Sequence, residues 1–557
     1  MKRDTRLLTK KNYELIVVGG GIYGAAVAWD AALRGLSVAL VEQGDFGSGT
    51  TFNSLKIVHG GLRYLQTLDL KRFRESVRER MILMRIAPHL VHPMPCVMPT
   101  YGHMMKGPEV LLAGLTLNDI LSADRNRLKD PEKKIPGTRL LSAKQTREML
   151  PGIDSAGING GAFWTDAQMT SSERMVIAFI LSAVAKGAQA VNYMKAREIL
   201  VQGRKAVGIR AEDRLTGRKL EIRGDAIVNA AGGWAGDWHG DSATHCLPLL
   251  STAMNLVVRG HLLHESAAGI YGRYEYPVPD GYHQGRHLLF MAPWRQYTLI
   301  GTYHRPYEES DVHLRVTENE ILSFLNEINS SRTEPVRRDS VTFFYKGFLP
   351  MDGINPKTGE VQLTKHYRII EHERENGLKN LITVAGVKYT TARDVAAKTV
   401  DLVFCKRGNK VPPCRTHCTP LMGGHIYRFD DFLNRTRKTA PGLPESVIDH
   451  LAVHYGSDTS ALYRYLDDDE SLRESLPGSR EVIGAQIVHA VREEMAVHLA
   501  DVVLRRTALG SGECPSEEAL EICARLMGLE LRWNAAKRQK EIRAVQSIYK
   551  PFKPIKE

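Results

Sequence analysis

The fold is decided by Tyr13-Glu14-Leu15-Ile16-Val17-Val18-Gly19-Gly20-Gly21-Ile22-Tyr23-Gly24. A short apolar run enters a turn of three glycines that fits G-x-G-x-x-G, and the chain continues into Ala25–Leu33, alanine-rich and without helix breakers. Gly35 closes that helix, and Ser37–Val41 is a second apolar run ending on Glu42. Strand, glycine turn, helix and strand in this order predict a dinucleotide-binding unit. Gly19 permits the tight turn, Gly21 lets the backbone approach a diphosphate, and Gly24 lets the helix sit close to the strand. Gly20, Ile22 and Tyr23 complete the turn, and the N-terminus of the helix favours the anion. Glu42 is placed to accept hydrogen bonds from ribose hydroxyls, which disfavours a 2′-phosphate and therefore NADP.

Later segments point to FAD rather than NAD. The fingerprint extends to Ala28 and Gly35 with a spacing similar to that of FAD-binding proteins. Residues 225–232 (DAIVNAAG) run from a strand into a small-residue turn at Gly232, as where a chain passes the dinucleotide. Residues 380–398 (NLITVAGVKYTTARDVAAK) repeat strand, Gly386 and helix. The N-terminus of such a helix can stabilise negative charge on a reduced flavin. Taken alone, this last segment is equally one more βα unit of a sheet.

Working outward, 557 residues are too many for one compact core, so two or three domains are expected. The expected class is α/β (α+β). A Rossmann-like FAD-binding domain is interleaved with an antiparallel-sheet substrate domain over residues 13–410. The FAD segments are 13–100, 170–235 and 375–405, and the substrate segments are 101–169 and 236–374. After the Pro412-Pro413 linker, 411–557 reads as an all-helical C-terminal domain with a basic tail. Within this frame Leu70–Arg85 reads as a charged helix. His89–Tyr101 reads as irregular because Pro93, Pro95 and Pro99 follow Pro88, and Thr170–Glu173 has capping-box spacing.

With 43% apolar and 25% charged residues the chain is of ordinary globular composition. Its +12 charge is concentrated at the ends: residues 1–11 and 531–557 together carry +10 of it. Basic ends suit an anionic membrane surface or plain solvation, and no basic motif interleaved with aromatics accompanies them, which excludes nucleic acid. No run of 18 apolar residues predicts a transmembrane helix, and polar Met1–Lys11 lacks an export signal. The expected location is therefore cytoplasmic, with peripheral attachment to the inner face of the membrane as a further expectation. Pro108–Leu121 (PEVLLAGLTLNDIL) is the segment that would lie in the interface, or else serve as a core or homodimer helix. Seven cysteines without a framework suit a reducing compartment. Cys405, Cys414 and Cys418 with His417 and His425 fit no usual zinc spacing, so no metal is expected.

The stretch Thr50-Thr51-Phe52-Asn53-Ser54-Leu55-Lys56-Ile57-Val58-His59-Gly60-Gly61-Leu62-Arg63-Tyr64 adds chemistry. A histidine followed by glycines suits a base or a partner for a substrate hydroxyl, because neutral imidazole accepts a proton near pH 7.

The chain resembles the FAD-dependent glycerol-3-phosphate dehydrogenase and oxidase family. The matching text is YELIVVGGGIYGAAVAWDAALRGLSVALVE, LKIVHGGLRYL, APHLVHPMP, NAAGGW, GVKYTTARDVAAK and the C-terminal REEMAVHLADVVLRRT, which together extend from Tyr13 to about Trp533. The resemblance implies a two-electron oxidation of glycerol 3-phosphate or a related polyol phosphate. A base takes the alcohol proton, a hydride passes to flavin N5, and the electrons go on to quinone or oxygen. His59 matches the family's active-site histidine, and Lys56 matches its flavin-side lysine. Lys388 matches the lysine beside the flavin ring, followed by Thr390 and Thr391, while Lys365 stands where the family has a substrate-phosphate arginine. Thr50, Thr51 and Ser54 fall in the flavin loop.

Departures cluster away from the dinucleotide. Where the family reads roughly G-V/L-R-P, this chain has Gly347-Phe348-Leu349-Pro350, and leucine cannot pair with a phosphate. The family's GTTD becomes Gly301-Thr302-Tyr303-His304, and its serine-rich loop becomes Thr51-Phe52-Asn53-Ser54-Leu55. They keep two further readings open: oxidation of a different alcohol or amine, and a flavin-binding subunit without turnover. Gly21→Val tests the fingerprint itself. Its branched side chain would fill the space where diphosphate meets backbone, so the folded variant should purify without flavin, read as the loss of yellow absorbance.

Overall fold

The computed structural model describes residues 1–62, 64, 68–102, 108–238, 247–278, 281–307, 314–440 and 442–552. Arg63 and Leu65 of the histidine motif, and Lys553 and Lys556 of the basic tail, lie outside the described residues.

The apolar runs flanking the glycine turn become Leu15–Val18 (β1) and Val38–Val41 (β2), every residue of which is buried. They need to be apolar throughout because both faces of their sheet are covered. That sheet has six strands in the order Arg368–Glu371, Leu381–Ala385, Ile227–Asn229, β1, β2, Gln189–Val191. All neighbours are parallel except the antiparallel edge strand Arg368–Glu371. One face is covered by Ile22–Leu33 (α1), Ser172–Ala185 and Ala392–Lys406. The other carries the three-stranded antiparallel sheet Met194–Gln202, Lys205–Asp213 and Lys219–Arg223. Alanines at 25, 26, 28, 31 and 32 keep the buried side of α1 thin enough to approach its neighbours.

A second sheet of ten strands holds the substrate side. From one edge it runs Ile57–Val58 (β3), Ile158–Met169, Val91–Tyr101 (β4), Ala267–Val278, Gly281–Trp294, Tyr297–Pro306, Leu249–Arg259, Val341–Ile354 and Val361–Leu363, with Arg139–Ser142 also paired to Ile158–Met169. Helix Glu318–Asn329 packs Ile321, Phe324 and Ile328 onto it. The C-terminal helices, from Phe429–Thr439 to Ala535–Ile548, surround their own core, which includes Leu451, Leu462, Ile487 and Leu520 and continues into Phe52, Phe343 and Tyr345 of the rest of the chain.

Two local expectations are corrected. His89–Tyr101 is not irregular: from Val91 it is β4, paired along its length with Ile158–Met169. Pro93, Pro95 and Pro99 are spaced by even numbers, so their missing N–H groups all face one side of the strand and the ladder on the other side survives. The helix after Thr170 is capped by Ser171, whose side chain accepts from Arg174 N (3.0 Å), and Glu173 turns inward instead of closing a capping box.

Leu70–Ile86 (α2) is fastened to helix Ala392–Lys406 by a buried pair, Glu79 Oε1–Arg393 Nη2 at 2.5 Å and Oε2–Nε at 2.7 Å. Removing one partner strands the other charge in a dry interior. Arg393→Met should therefore lower stability in urea by about 3–5 kcal/mol, and adding Glu79→Leu should recover most of the loss. A double variant as unstable as the single one would show that the pair is not the cause.

Candidate functional site

The glycine turn is shaped by the protein at two positions and left open at a third. Gly19 has φ 106°, and a Cβ there would lie 2.5 Å from Ala230 O; one on Gly24 would lie 1.8 Å from Gly19 O. A Cβ on Gly21 would meet only Thr51 Oγ1, at 3.2 Å. Nothing in the chain itself demands glycine there, so the space belongs to an occupant. Gly21 is the N-cap of α1 and offers no capping side chain, so the positive end of the helix faces that space.

The walls form one cavity of about 1440 Å³, larger than the roughly 300–1,000 Å³ typical of small-molecule pockets and suited to a dinucleotide with a substrate beside it. Gly19, Gly21, Ile22, Tyr23 and Glu42 line it, while Gly20 and Gly24 lie behind the wall. The Glu42 carboxylate accepts from Gly20 N (2.6 Å) and Gly44 N (2.7 Å), which aims it at the cavity, and burial raises its pKa against those bonds. Thr51 Oγ1 takes Ile22 N (3.1 Å), and Thr50 Oγ1 exchanges bonds with Phe348 N (2.9 Å) and Phe348 O (3.1 Å). The loop is thereby pinned between the glycine turn and the substrate sheet. Ser54 Oγ is buried in this wall with no partner among the described residues, a donor–acceptor open to a polar ligand.

Gly232 lines the cavity with φ 59°, and Gly386 faces Tyr23, whose ring a Cβ would strike at 2.1 Å. Tyr23 OH donates to Lys388 O (2.6 Å) and accepts from Lys388 N (3.2 Å), tying α1 to the segment that also brings buried Thr390 into the wall. The Lys388 ammonium lies 3.6 Å from the centre of the Tyr64 ring. Burial, then the nearby Arg72 charge, push it down to about 7.

His59 stands in the wall with its side chain 44% exposed. The register Ile57↔Gln168, Val58↔Ala167 brings it opposite Asp166, and its Nδ1 is 3.3 Å from Asp166 Oδ2. Burial alone would raise Asp166, but the bond from His59 and the Arg80 charge outweigh it and bring the carboxyl down to about 2. Arg80 Nη1 (2.7 Å) and Gly60 N (2.6 Å) both donate to Asp166 Oδ1. An ionised acceptor requires Nδ1 to carry the hydrogen, which leaves the Nε2 lone pair to take a proton. Sequence reading missed Asp166 and Arg80. A lone acid within the apolar text of Ala162–Met169 was the one available signal.

Two expected roles meet a different geometry. Lys56 contributes to the wall, but its ammonium is turned away and fully buried. It bonds Glu173 Oε2 (2.9 Å) and Ser172 Oγ (3.2 Å) within rings of Phe52, Trp294 and Tyr345. Its φ of 60° is what turns the side chain inward. Lys365 does not line the cavity: it is exposed, because Thr364 N is bound to Pro350 O (3.0 Å) and the following side chain points to solvent. Leu349 does line the cavity, as does Lys346 three residues earlier, whose buried ammonium is held by Glu320 Oε1 (2.9 Å) and Arg315 O (3.0 Å). Tyr303 and His304 are absent from the wall, and Tyr303 packs on Phe324 behind the sheet. The flavin-loop and glycine-turn residues thus fit FAD: the cavity wall carries an open helix N-terminus, an oriented acid at Glu42 and the Ser54 hydroxyl.

The sequence matches the model of the FAD dependent oxidoreductase family over residues 14–391 and that of the C-terminal domain of alpha-glycerophosphate oxidase over residues 414–538. It is 32% identical over 509 residues to a glycerol-3-phosphate dehydrogenase of Synechocystis, covering 89% of each chain. It is 31% identical to the mitochondrial glycerol-3-phosphate dehydrogenase of Homo sapiens, over 98% of this chain and 75% of that one. The fold matches a solved glycerol-3-phosphate dehydrogenase of Bacillus halodurans, complexed with FAD, with a TM-score of 0.73 and 24% identity over 99% of this chain and 97% of that one. From the glycine turn to the C-terminal helices, the chain belongs to the FAD-dependent glycerol-3-phosphate dehydrogenase family of oxidoreductases.

Proposed function

We propose that the protein oxidises glycerol 3-phosphate, or a closely related polyol phosphate, to the ketone. The observation that carries this reading is the His59–Asp166 pair in the wall of the cofactor cavity, on the side of the substrate sheet. The secondary alcohol loses a proton and a hydride and becomes a carbonyl. Bound FAD supplies the hydride acceptor. Asp166 keeps His59 in the Nδ1–H tautomer and stabilises the imidazolium that forms when Nε2 takes the hydroxyl proton. Arg80 and Gly60 N keep Asp166 ionised so that it remains an acceptor throughout. Lys388, pushed down to about 7, stands in the cavity wall, where as an ammonium it would share negative charge on a reduced flavin.

The substrate phosphate has no arginine at position 349. The cavity wall nonetheless includes Arg315, Lys346, Lys388 and Lys550, and the acids on the wall among the described residues are Glu42 and Asp237. That imbalance suits an anionic substrate. Leu349 favours a second reading in which a different alcohol is oxidised. Anaerobic bleaching of the flavin across a panel of polyol phosphates and plain polyols separates the two. Glycerol 3-phosphate should bleach it fastest, and His59→Ala and Asp166→Asn should each slow bleaching by roughly 10²-fold or more while keeping the flavin. Fast bleaching by an unphosphorylated alcohol would establish the second reading.

For the electrons we propose quinone as the acceptor, or oxygen if the protein stays off the membrane. No helix of the described residues is long and apolar enough to cross a membrane. Pro108–Leu121 (α3) exposes Leu112 (50%) and Ile120 (67%), and the start of α2 exposes Leu70, with Leu68 just before it. These helices meet through Phe73, Val77, Leu117 and Leu121, so the exposed leucines and isoleucine flank one joint. Such a surface, together with the basic charge of the two chain ends, supports peripheral attachment to the inner leaflet. The protein should sediment with anionic vesicles at low salt and be released at high salt, and removal of residues 534–557 should weaken binding. Protein wholly in the supernatant at low salt would make it a non-membrane enzyme with another acceptor.

A further inference from the structure

The loop after Glu42 is fastened on two sides. Toward the glycine turn, Gly47 N donates to Gly20 O (2.9 Å) and Thr51 Oγ1 takes Ile22 N (3.1 Å). On the other side Asp45, completely buried, is gripped by two arginines of the C-terminal helical domain. Arg505 Nε meets Asp45 Oδ2 at 2.6 Å, while Arg506 Nη1 and Nη2 meet Oδ2 and Oδ1 at 2.8 and 2.7 Å. Burial would raise Asp45, but the charges of Arg506 and Arg505 prevail and hold its carboxyl below the usual carboxylate range. Both arginines lie in a π-helical turn, Val502–Arg506, a rare geometry that is frequent at functional sites. Arg505 Nη2 also bonds Asp501 Oδ1 (2.8 Å), which accepts from Tyr193 OH (2.6 Å), and Tyr193 N bonds Gly44 O (2.9 Å). Leu504 and Arg505 themselves reach the cofactor cavity.

A buried charge cluster of this kind is a poor source of net stability, because desolvation offsets most of the attraction. The C-terminal domain does not need it to stay attached, since its apolar core already runs into Phe52, Phe343 and Tyr345. What the cluster adds is a tie between this loop and the C-terminal domain. We infer that Arg505 and Arg506 are positioning residues for the cofactor. Through Asp45 they hold residues 44–51 against the glycine turn, so the C-terminal domain is part of the diphosphate site. Cofactor binding and ordering of the Val502–Arg506 turn are then linked, each strengthening the other by the same factor. The proposal rests on the FAD reading of the cavity.

The test uses full-length protein stripped of flavin and titrated with FAD and, separately, with ADP, a probe that carries the diphosphate but no flavin ring. Asp45→Asn and Arg506→Met should each bind both ligands roughly 10- to 100-fold more weakly at unchanged helical content, the usual size of coupling between sites. The double variant should be no worse than the weaker single one, because both remove the same interaction. In the wild type ADP should slow amide hydrogen exchange across 502–506, and in Asp45→Asn it should not. Should Arg506→Met fail to fold, the near-isosteric Asp45→Asn and wild-type exchange decide. Folded variants with wild-type ADP affinity, or exchange at 502–506 indifferent to ADP in the wild type, would overturn the proposal alone. Wild-type protein that binds neither FAD nor ADP would overturn the flavin reading, and the proposal with it.

Discussion

At the turn after β1, backbone meets backbone without room for a side chain. The Gly19 carbonyl stands where a Cβ of residue 24 would be, and the Ala230 carbonyl stands where a Cβ of residue 19 would be. This contact lets α1 lie directly on the sheet and lets strand Ile227–Asn229 leave beside it. It also brings the end of Leu381–Ala385 within reach of the Tyr23 hydroxyl. Three segments far apart in sequence therefore open at the carboxyl ends of the parallel strands, where open α/β sheets place their ligands. A bulkier turn would lift α1 and separate all three.

The loop from Glu42 to His59 hangs from that turn and ends in two base–acid pairs with opposite fates. Lys56 and Glu173 are both fully buried, ringed by aromatics, and their charges neutralise each other at a fixed place in the core. Three residues on, His59 and Asp166 differ in exposure: the carboxylate is buried and anchored, while the imidazole faces the cavity. The first pair fixes where the loop ends. The second puts a group able to gain and lose a proton on the far side of that fixed point. Rigidity behind a reactive side chain is what lets it meet a substrate hydroxyl in one orientation.

The dinucleotide unit was legible because its constraints are local: apolar runs, glycines at fixed offsets and an acid at the end of β2 all fall within residues 13–42. His59 was legible by resemblance, its partner was not. Asp166 reaches it only through the antiparallel register of β3 with Ile158–Met169, a pairing between residues 107 apart. The direction of Lys56 depends on a left-handed φ that no propensity of lysine suggests. The proline-rich strand β4 misleads for a related reason, since proline removes one N–H per residue and the sequence does not say which side of the strand needs it. Tyr303 and His304 depart from the family's text, yet neither lines the cavity, and Tyr303 packs on Phe324 instead.

Position 349 raises the question of how a family member manages an anionic substrate without its arginine. An arginine fork at 349 would supply both charge and direction; of the cations in this wall, Arg315 keeps a fixed charge, whereas the lysines supply charge alone. Lys388 is the most adaptable of them. Desolvation and Arg72 depress it to about 7, while Asp69 and Glu75 pull the other way, so at neutral pH it is poised between two states. An anion entering the cavity adds an opposing charge and raises the pKa, so binding draws a proton onto the amine. The cost of a buried cation is then borne only while its counter-charge is present. By the same linkage, affinity for an anion falls as pH climbs through the free value of about 7, because each binding event must then recruit a proton from an increasingly dilute supply. A guanidinium at 349 would hold its charge at every pH and would bind the anion without recruiting a proton of its own. Leucine at 349 leaves the electrostatics of the site to groups that respond to what is bound.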